Sequence, residues 1–96
     1  MRIALIVGTA VATMKDEKLR GHRLLLAREA GPDGVPKGGP FVAVDAVDAG
    51  PGDLVLVTEG SGSRQTGTTL DIPVDALVVG VLDSLEVDGK TTFRKG

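Results

Sequence analysis

Residues 54–57 read Leu-Val-Leu-Val, and residues 77–79 read Leu-Val-Val, so both stretches carry an aliphatic side chain at every position. Successive side chains of a β-strand point to opposite faces of the sheet. A small antiparallel barrel normally has one apolar face and one solvated face. Both stretches are therefore predicted to be strands whose second apolar face must be covered from outside the barrel interior.

The rest of the sequence offers no helix that could provide this cover, because no segment has the sustained 3.6-residue periodicity of an amphipathic helix. The simplest cover is another copy of the same chain. Burying about 500 Å² of apolar surface at roughly 25 cal/mol per Å² would contribute on the order of 10 kcal/mol before the cost of association. We therefore expect an obligate oligomer. The alternative is a parallel or sandwiched sheet within one chain, for which 96 residues leave little room.

Outside these two strands, short apolar segments alternate with turn-forming residues. The Gly- and Pro-rich stretch 31–40 is predicted to connect two strands as a hairpin, and residues 60–67 to hold one short helical turn. A terminal hairpin is predicted over residues 84–94, with its turn at Asp88 and Gly89. With the two aliphatic strands included, the barrel strands are predicted at residues 1–13, 22–29, 41–45, 54–58 and 76–82. This pattern predicts an all-β chain that forms a small five-stranded barrel, as a single domain over residues 1–96.

The first strand shows which side chains we expect to face a neighbouring copy. Its odd positions carry the bulky residues Ile3, Leu5 and Val7, which are predicted to face the barrel core. Its even positions are mostly small, which suits close packing against another backbone. With the outward residues of the two aliphatic strands, the predicted subunit interface comprises Ala4, Ile6, Gly8, Ala10, Val55, Val57 and Val79.

Composition weakens several alternative functions. A nucleic-acid binder of this fold class would use aromatic stacking platforms and a basic groove. The chain has two Phe, no Trp, no Tyr and a net charge of −2, so this alternative is poorly supported. The absence of cysteine suits a reducing cytoplasm. We expect neither a secretory signal nor a membrane-spanning segment, because the apolar runs are short and interrupted.

Candidate chemical sites are few. His22 is the single histidine, and no partner for acid–base catalysis is evident in the sequence. Residues 60–64, Gly-Ser-Gly-Ser-Arg, could cradle an anion through backbone N–H groups, but they lack the Walker pattern. We expect no catalytic residue, no metal site and no cofactor. The aspartates beside glycine, proline or strand ends are expected to cap turns: Asp45, Asp48, Asp53, Asp75 and Asp83.

Four blocks of the sequence resemble the EutN/CcmL family. The first is Val-Gly-Thr-Ala-Val-Ala-Thr at residues 7–13, followed by Leu-Arg-Gly-His-Arg-Leu-Leu at residues 19–25. The second is Ala-Val-Asp-Ala-Val-Asp-Ala-Gly-Pro-Gly-Asp-Leu-Val-Leu-Val at residues 43–57. The others are Glu-Gly-Ser-Gly-Ser-Arg at residues 59–64 and the segment from residue 73 to residue 83. Their order and spacing extend through nearly the whole chain.

The resemblance implies an OB-like barrel that assembles as a homopentamer and closes the vertices of a bacterial microcompartment shell, either a carboxysome or a metabolosome. Hexameric and pseudohexameric shell proteins would be its partners, and neither nucleic acid nor a membrane is expected to bind. The location implied is the cytoplasm, within the shell. The loop implied to line the five-fold axis comprises Gly60, Ser61, Gly62, Ser63 and Arg64. The charged side chains expected to dock onto the hexamers are Lys18, Arg20 and Arg23.

Overall fold

The fold was analysed in a computed structural model, which describes residues 1–13, 15, 21–59 and 75–96. Each predicted strand is confirmed within one to three residues of its predicted ends. The strands are β1 (Arg2–Ala10), β2 (Leu24–Glu29), β3 (Phe41–Asp45), β4 (Leu54–Glu59), β5 (Ala76–Val81), β6 (Ser84–Val87) and β7 (Lys90–Arg94).

Five of the strands form a closed barrel in the order β1-β2-β3-β5-β4, with β4 returning to pair with β1. All neighbouring pairs are antiparallel except β3 and β5, which run parallel. Closure pairs every barrel strand on both sides, so the barrel itself presents no open sheet edge. The predicted five-stranded, OB-like barrel is therefore confirmed.

The interior of this barrel is narrow, and small side chains fill much of it. Five of the ten residues in the main core cluster are alanines, packed with Ile6, Leu25 and three valines. In a barrel of few strands the inward side chains converge on one axis, so small residues must be mixed with larger ones. The core alanines are Ala4, Ala27, Ala43, Ala49 and Ala76.

This packing reverses the predicted faces of β1 and β4. Ala4 and Ile6 are 0% and 1% exposed inside the barrel, whereas Ile3 and Leu5 are only half-buried on the outside. Val55 and Val57 are likewise core residues with 0% exposure. The prediction that Ala4, Ile6, Val55 and Val57 contact another subunit is therefore wrong, because their own barrel already encloses them.

Two register shifts also change which face a residue occupies. The pairing of β1 with β2 shifts between Ile6 and Gly8, which leaves Val7 as an extra, exposed residue. The pairing of β4 with β5 shifts between Leu56 and Val57, which makes Val79 the extra residue of β5. A β-bulge of this kind breaks the strict period of two. The sequence-based alternation therefore fails beyond each shift.

The terminal hairpin β6–β7 lies outside the barrel as a separate two-stranded sheet. Its turn is confirmed at Asp88 and Gly89, whose φ angles of 52° and 80° match the two left-handed positions of a type I′ turn. The Thr92 hydroxyl donates a 2.5 Å hydrogen bond to the carbonyl oxygen of Pro32, which ties the hairpin to the connection over residues 31–40.

This docking covers part of the outer surface that we expected another copy to cover. Gly34, at φ +80°, lies so close to Phe93 that a Cβ there would be 2.9 Å from the ring. The same Cβ position is 3.8 Å from a methyl group of Leu54, which is 1% exposed. Leu77 is also fully buried within the chain. One chain therefore covers some of its outward aliphatic side chains by itself.

The structure contains no helix within the residues that it describes, and so none there could span a membrane. The short helical turn predicted in residues 60–67 lies outside the described residues.

Truncation of Val57 tests the corrected face assignment. Val57→Ala should lower the free energy of unfolding by about 2 kcal/mol, because it leaves a cavity in the barrel interior. Val35→Ala is the matched control and should change it by less than about 0.5 kcal/mol, since Val35 is 54% exposed on a loop. Urea unfolding followed by circular dichroism measures both, since the chain has neither Trp nor Tyr for fluorescence. If the loss of unfolding free energy caused by Val57→Ala disappears when the protein is diluted, Val57 would instead lie at a contact between subunits.

Candidate assembly surface

The outer side of the barrel follows from the strand register. Directly paired residues on neighbouring strands point to the same face of a sheet. Ala4 pairs with the core residue Val55, so the next pair along these strands, Ile3 with Leu56, points outward. Leu25 pairs with Ala43 inside, so Leu26 and its partner Val42 also point outward.

The outward aliphatic side chains that the chain itself leaves accessible form a surface that we call the outer band. Val42 is 51% exposed, and the other members are half-buried. A monomeric soluble protein seldom exposes a contiguous apolar patch of this kind without a binding role. The outer band comprises Ile3, Leu5, Leu24, Leu26, Val42 and Leu56.

Glycines flank two of these leucines. A Cβ at Gly8 would lie 3.6 Å from Leu26 Cδ1, and a Cβ at Gly80 would lie 3.7 Å from Leu56 Cδ1. Each leucine therefore lies beside a bare stretch of backbone on the neighbouring strand. Such a leucine can be reached from the side by an incoming surface, and the glycine permits close approach of a second backbone.

The outer band has two halves on different strand pairs. One half lies across β1 and β4, with Ile3 and Leu56 at its centre. The other lies across β2 and β3, with Leu26 and Val42 at its centre. Gly8 and Ala10, the small outward residues of β1, pair with the β2 half. Two unlike apolar surfaces on one subunit are what a head-to-tail contact requires.

The predicted interface residues thus divide into two groups. Gly8, Ala10 and Val79 lie on or beside the accessible surface and remain candidates for contact with a neighbouring copy. The four core residues named above do not. The predicted axial loop, residues 60–64, lies outside the described residues, as do Lys18 and Arg20.

Arg23, the third predicted docking residue, is exposed at the start of β2. Its Nη1 lies 3.2 Å from Asp48 Oδ1, and the two side chains are 51% and 93% exposed. An ion pair this open to water is weak, so the guanidinium can exchange Asp48 for an external carboxylate. Arg23 also lines a surface groove of about 390 Å³ together with His22, Thr9 and four apolar or small residues.

Two of the five aspartates predicted to cap turns, Asp45 and Asp53, do so, whereas the carboxylate of Asp48 contacts Arg23 instead. The Asp45 carboxylate accepts hydrogen bonds from the backbone N–H groups of Val47 and Ala49, at 3.0 and 3.2 Å. Asp53 Oδ2 accepts one from Gly50 N at 2.9 Å. These bonds hold the turn between β3 and β4. No cluster of three or more histidines or carboxylates suited to a metal occurs in residues 1–13, 15, 21–59 and 75–96.

A charged cluster lies at one end of the barrel. Arg2 shares the inward face with Val57, and its Cζ lies 4.0 Å from the centroid of the Phe41 ring. Its Nε is 2.6 Å from Glu59 Oε1, and its Nη1 is 3.4 Å from Glu29 Oε2. The Arg2 side chain is 30% exposed, so its stem can cover core atoms while its head reaches water. The cluster therefore links the ends of β1, β2, β3 and β4.

None of the six residues of the outer band was among the predicted interface residues. One signal could have identified it in β2, where Arg28 alternates in step with Leu24 and Leu26. A charged residue at one of these alternate positions shows that all of them point outward, because the narrow interior has no room for a guanidinium at mid-strand. No comparable charge marks the outer face in the middle of β1 or β4.

Comparison with known proteins supplies a functional context for this surface. The profile of the family described as "Ethanolamine utilisation protein EutN/carboxysome" matches residues 1–83. The bacterial microcompartment shell vertex protein EutN of Salmonella typhimurium is 35% identical over 95 residues, which cover 99% of this chain and 96% of EutN.

Solved structures agree with the sequence matches. The structure of CcmL from Gloeobacter violaceus superposes with a TM-score of 0.90 at 35% identity, covering 99% of this chain and 98% of CcmL. The pentameric microcompartment shell protein GrpN from Rhodospirillum rubrum gives a TM-score of 0.79 at 38% identity, covering 91% of this chain and 99% of GrpN. These relatives give no support to the alternative of a small nucleic-acid or anion-binding module.

Proposed function

This chain belongs to the EutN/CcmL family, and we propose that it forms homopentamers that close the vertices of a bacterial microcompartment shell. The observation that carries the proposal is the outer band, a set of aliphatic side chains on the outside of a barrel that is already closed and filled. The relatives supply the vertex location and the five-fold state through their names.

Burial of the outer band by a neighbour supplies the free energy of assembly. Covering roughly 300 Å² of apolar surface in each copy at about 25 cal/mol per Å² contributes on the order of 7 kcal/mol before association costs. This is comparable to the whole stability of a small domain. The burial term alone is therefore of the same order as the net free energy of folding, and the cost of association is subtracted from it.

The two halves of the outer band fit a closed ring. In a ring, each subunit presents one surface to the copy on its left and a different surface to the copy on its right. The half on β1 and β4 and the half on β2 and β3 are such a pair of unlike surfaces. A two-fold dimer would instead bring one half against itself and leave the other half in water.

The role is structural rather than catalytic. The more buried polar side chains among the described residues hold turns and strand ends, as Asp45, Asp53 and Arg2 illustrate. The named relatives are shell vertex proteins. A vertex subunit needs two unlike outer surfaces that fit each other in neighbouring copies, and a rim that can meet other shell proteins. The two halves of the outer band and the exposed Arg23 match these needs.

Two further roles are proposed from the family resemblance. The loop of Gly60, Ser61, Gly62, Ser63 and Arg64, which follows the last residue of β4, would face the five-fold axis. Lys18, Arg20 and Arg23 would face the rim and meet carboxylates on hexameric or pseudohexameric shell proteins. Rim charges set orientation and encounter rate more than affinity, so this contact would guide a pentamer into its place.

Introducing a charge into the outer band tests the pentamer. Val42→Asp should raise the dissociation constant of the assembly at least about 100-fold, because a carboxylate would be buried against the neighbouring copy. Val35→Asp makes the same chemical change at a valine of nearly equal exposure, 54% against 51%, outside the outer band. That control should behave as the parent protein does. Analytical ultracentrifugation of the three proteins over a dilution series measures the effect.

The parent protein should sediment with the mass of five chains. A parent that remains monomeric at micromolar concentration would contradict the proposed function. Equal dissociation constants for Val42→Asp and Val35→Asp would show that the neighbour packs elsewhere.

Charge reversal at Arg23 tests the rim. Arg23→Glu should reduce co-purification with co-expressed hexameric shell proteins severalfold while leaving the pentamer intact, because only the external contact is lost. Lys37→Glu is the control of equal charge change at another exposed residue. Unchanged co-assembly of Arg23→Glu relative to Lys37→Glu would remove Arg23 from the rim.

A further inference from the structure

The terminal hairpin has an arrangement of charge that neither the barrel nor the family assignment explains. It begins where the family profile ends, at residue 83. The acidic residues of this region are Asp83, Glu86 and Asp88, which lie on or beside β6. Its basic residues are Lys90, Arg94 and Lys95, which lie on or beside β7. All six residues are exposed.

These charges are not used within the chain as far as the structure describes it. Among residues 1–13, 15, 21–59 and 75–96, the ion pairs within 4.0 Å join Arg2 to Glu29 and Glu59, and Arg23 to Asp48. Within the hairpin, Glu86 lies opposite Thr91, and Lys90 lies opposite Val87. At its base Asp83 lies opposite Lys95, whose backbone N–H donates a 2.8 Å hydrogen bond to the Asp83 carbonyl oxygen, but their side chains are not among the ion pairs above. The acidic residues thus lie on the β6 side and the basic residues on the β7 side, without an ion pair between them.

The two outer edges of the hairpin are also unpaired within the described residues. β6 and β7 pair with each other in a two-stranded sheet, and the side chains of Thr92 and Phe93 contact the connection over residues 31–40. An isolated hairpin is marginally stable in water, and its free edges can pair with another chain. Val87, at 43% exposure, adds an apolar contact surface near the turn.

From this charge separation we propose that the acidic β6 edge of one subunit docks against the basic β7 edge of the next subunit around the ring. The inference rests on the proposed pentamer and adds a contact outside the barrel. In this head-to-tail arrangement the carboxylates of one subunit attract the basic side chains of the next. The same charges repel when β6 meets β6 or β7 meets β7, so they disfavour two-fold dimers. The hairpin thereby selects ring closure over competing pairings.

Charge-swapped variants separate this contact from the outer band. A half-swap, Lys90→Glu with Arg94→Glu, makes both edges acidic and should raise the dissociation constant of the pentamer at least about tenfold at low salt. A full swap adds Asp83→Lys and Glu86→Lys, which restores opposite signs without altering the turn residues Asp88 and Gly89 and should recover the parental value. Lys15→Glu with Lys37→Glu changes the net charge as the half-swap does, at exposed residues outside β6 and β7, and should have little effect.

Cross-linking gives a second readout that leaves the charges in place. The chain has no cysteine, so Ser84→Cys and Thr91→Cys each introduce a single thiol, one on β6 and one on β7. Co-assembly of the two variants with a short bismaleimide should link Ser84→Cys chains to Thr91→Cys chains. Each variant assembled alone should give few linked chains.

The outcomes distinguish the two proposals. A parent pentamer with an unaffected half-swap and no mixed cross-link would overturn the hairpin contact and leave the pentamer standing. A half-swap that is not recovered by the full swap, together with no mixed cross-link, would also overturn the contact. A monomeric parent would overturn the proposed function itself.

Discussion

The narrow interior of a five-stranded barrel is the constraint on which the rest of this structure depends. Inward side chains from all five strands converge, and the chain fills that space with alanines, valines and a few larger residues. The surplus of bulky aliphatic side chains is therefore displaced to the outside of the same strands. The outer band is a direct consequence of this displacement, and it creates the requirement for a partner.

Each chain covers some of its outward aliphatic side chains by itself. The connection over residues 31–40 and the terminal hairpin cover Leu54, and tight contact at Gly34 and Phe93 shows how closely they pack. The outer band is what remains after that cover is in place. An assembly made through it removes these side chains from water, and its two unlike halves favour a ring over a dimer. Structure and family membership thus point to the same role by different arguments.

The sequence was sufficient to predict the fold class, the strand segments and the terminal turn. Alternating small and large residues identify β1, and the pair Asp88 and Gly89 identifies a type I′ turn through its backbone chemistry. It was also sufficient to predict an excess of outward aliphatic side chains, because strands such as β4 have no polar position until Thr58.

The sequence was not sufficient to assign the faces. A strand that is apolar at every position looks the same in either orientation, and we placed the bulky set of β1 inside when the barrel accepts the small set. The extra residues at Val7 and Val79 then shift the alternation midway along β1 and β5. Register of this kind depends on pairing with distant strands, which local periodicity does not encode.

The central claim is that another copy of this chain covers the outer band. Hydroxyl-radical footprinting of the unmodified protein tests it most directly, because Val42 and Val35 provide a matched pair of valines with 51% and 54% exposure in the single chain. The account predicts that, in the assembled protein, Val42 is oxidised several times more slowly than Val35, and that the two rates converge on dilution to single chains. Equal oxidation of Val42 and Val35 in the assembled protein would contradict it.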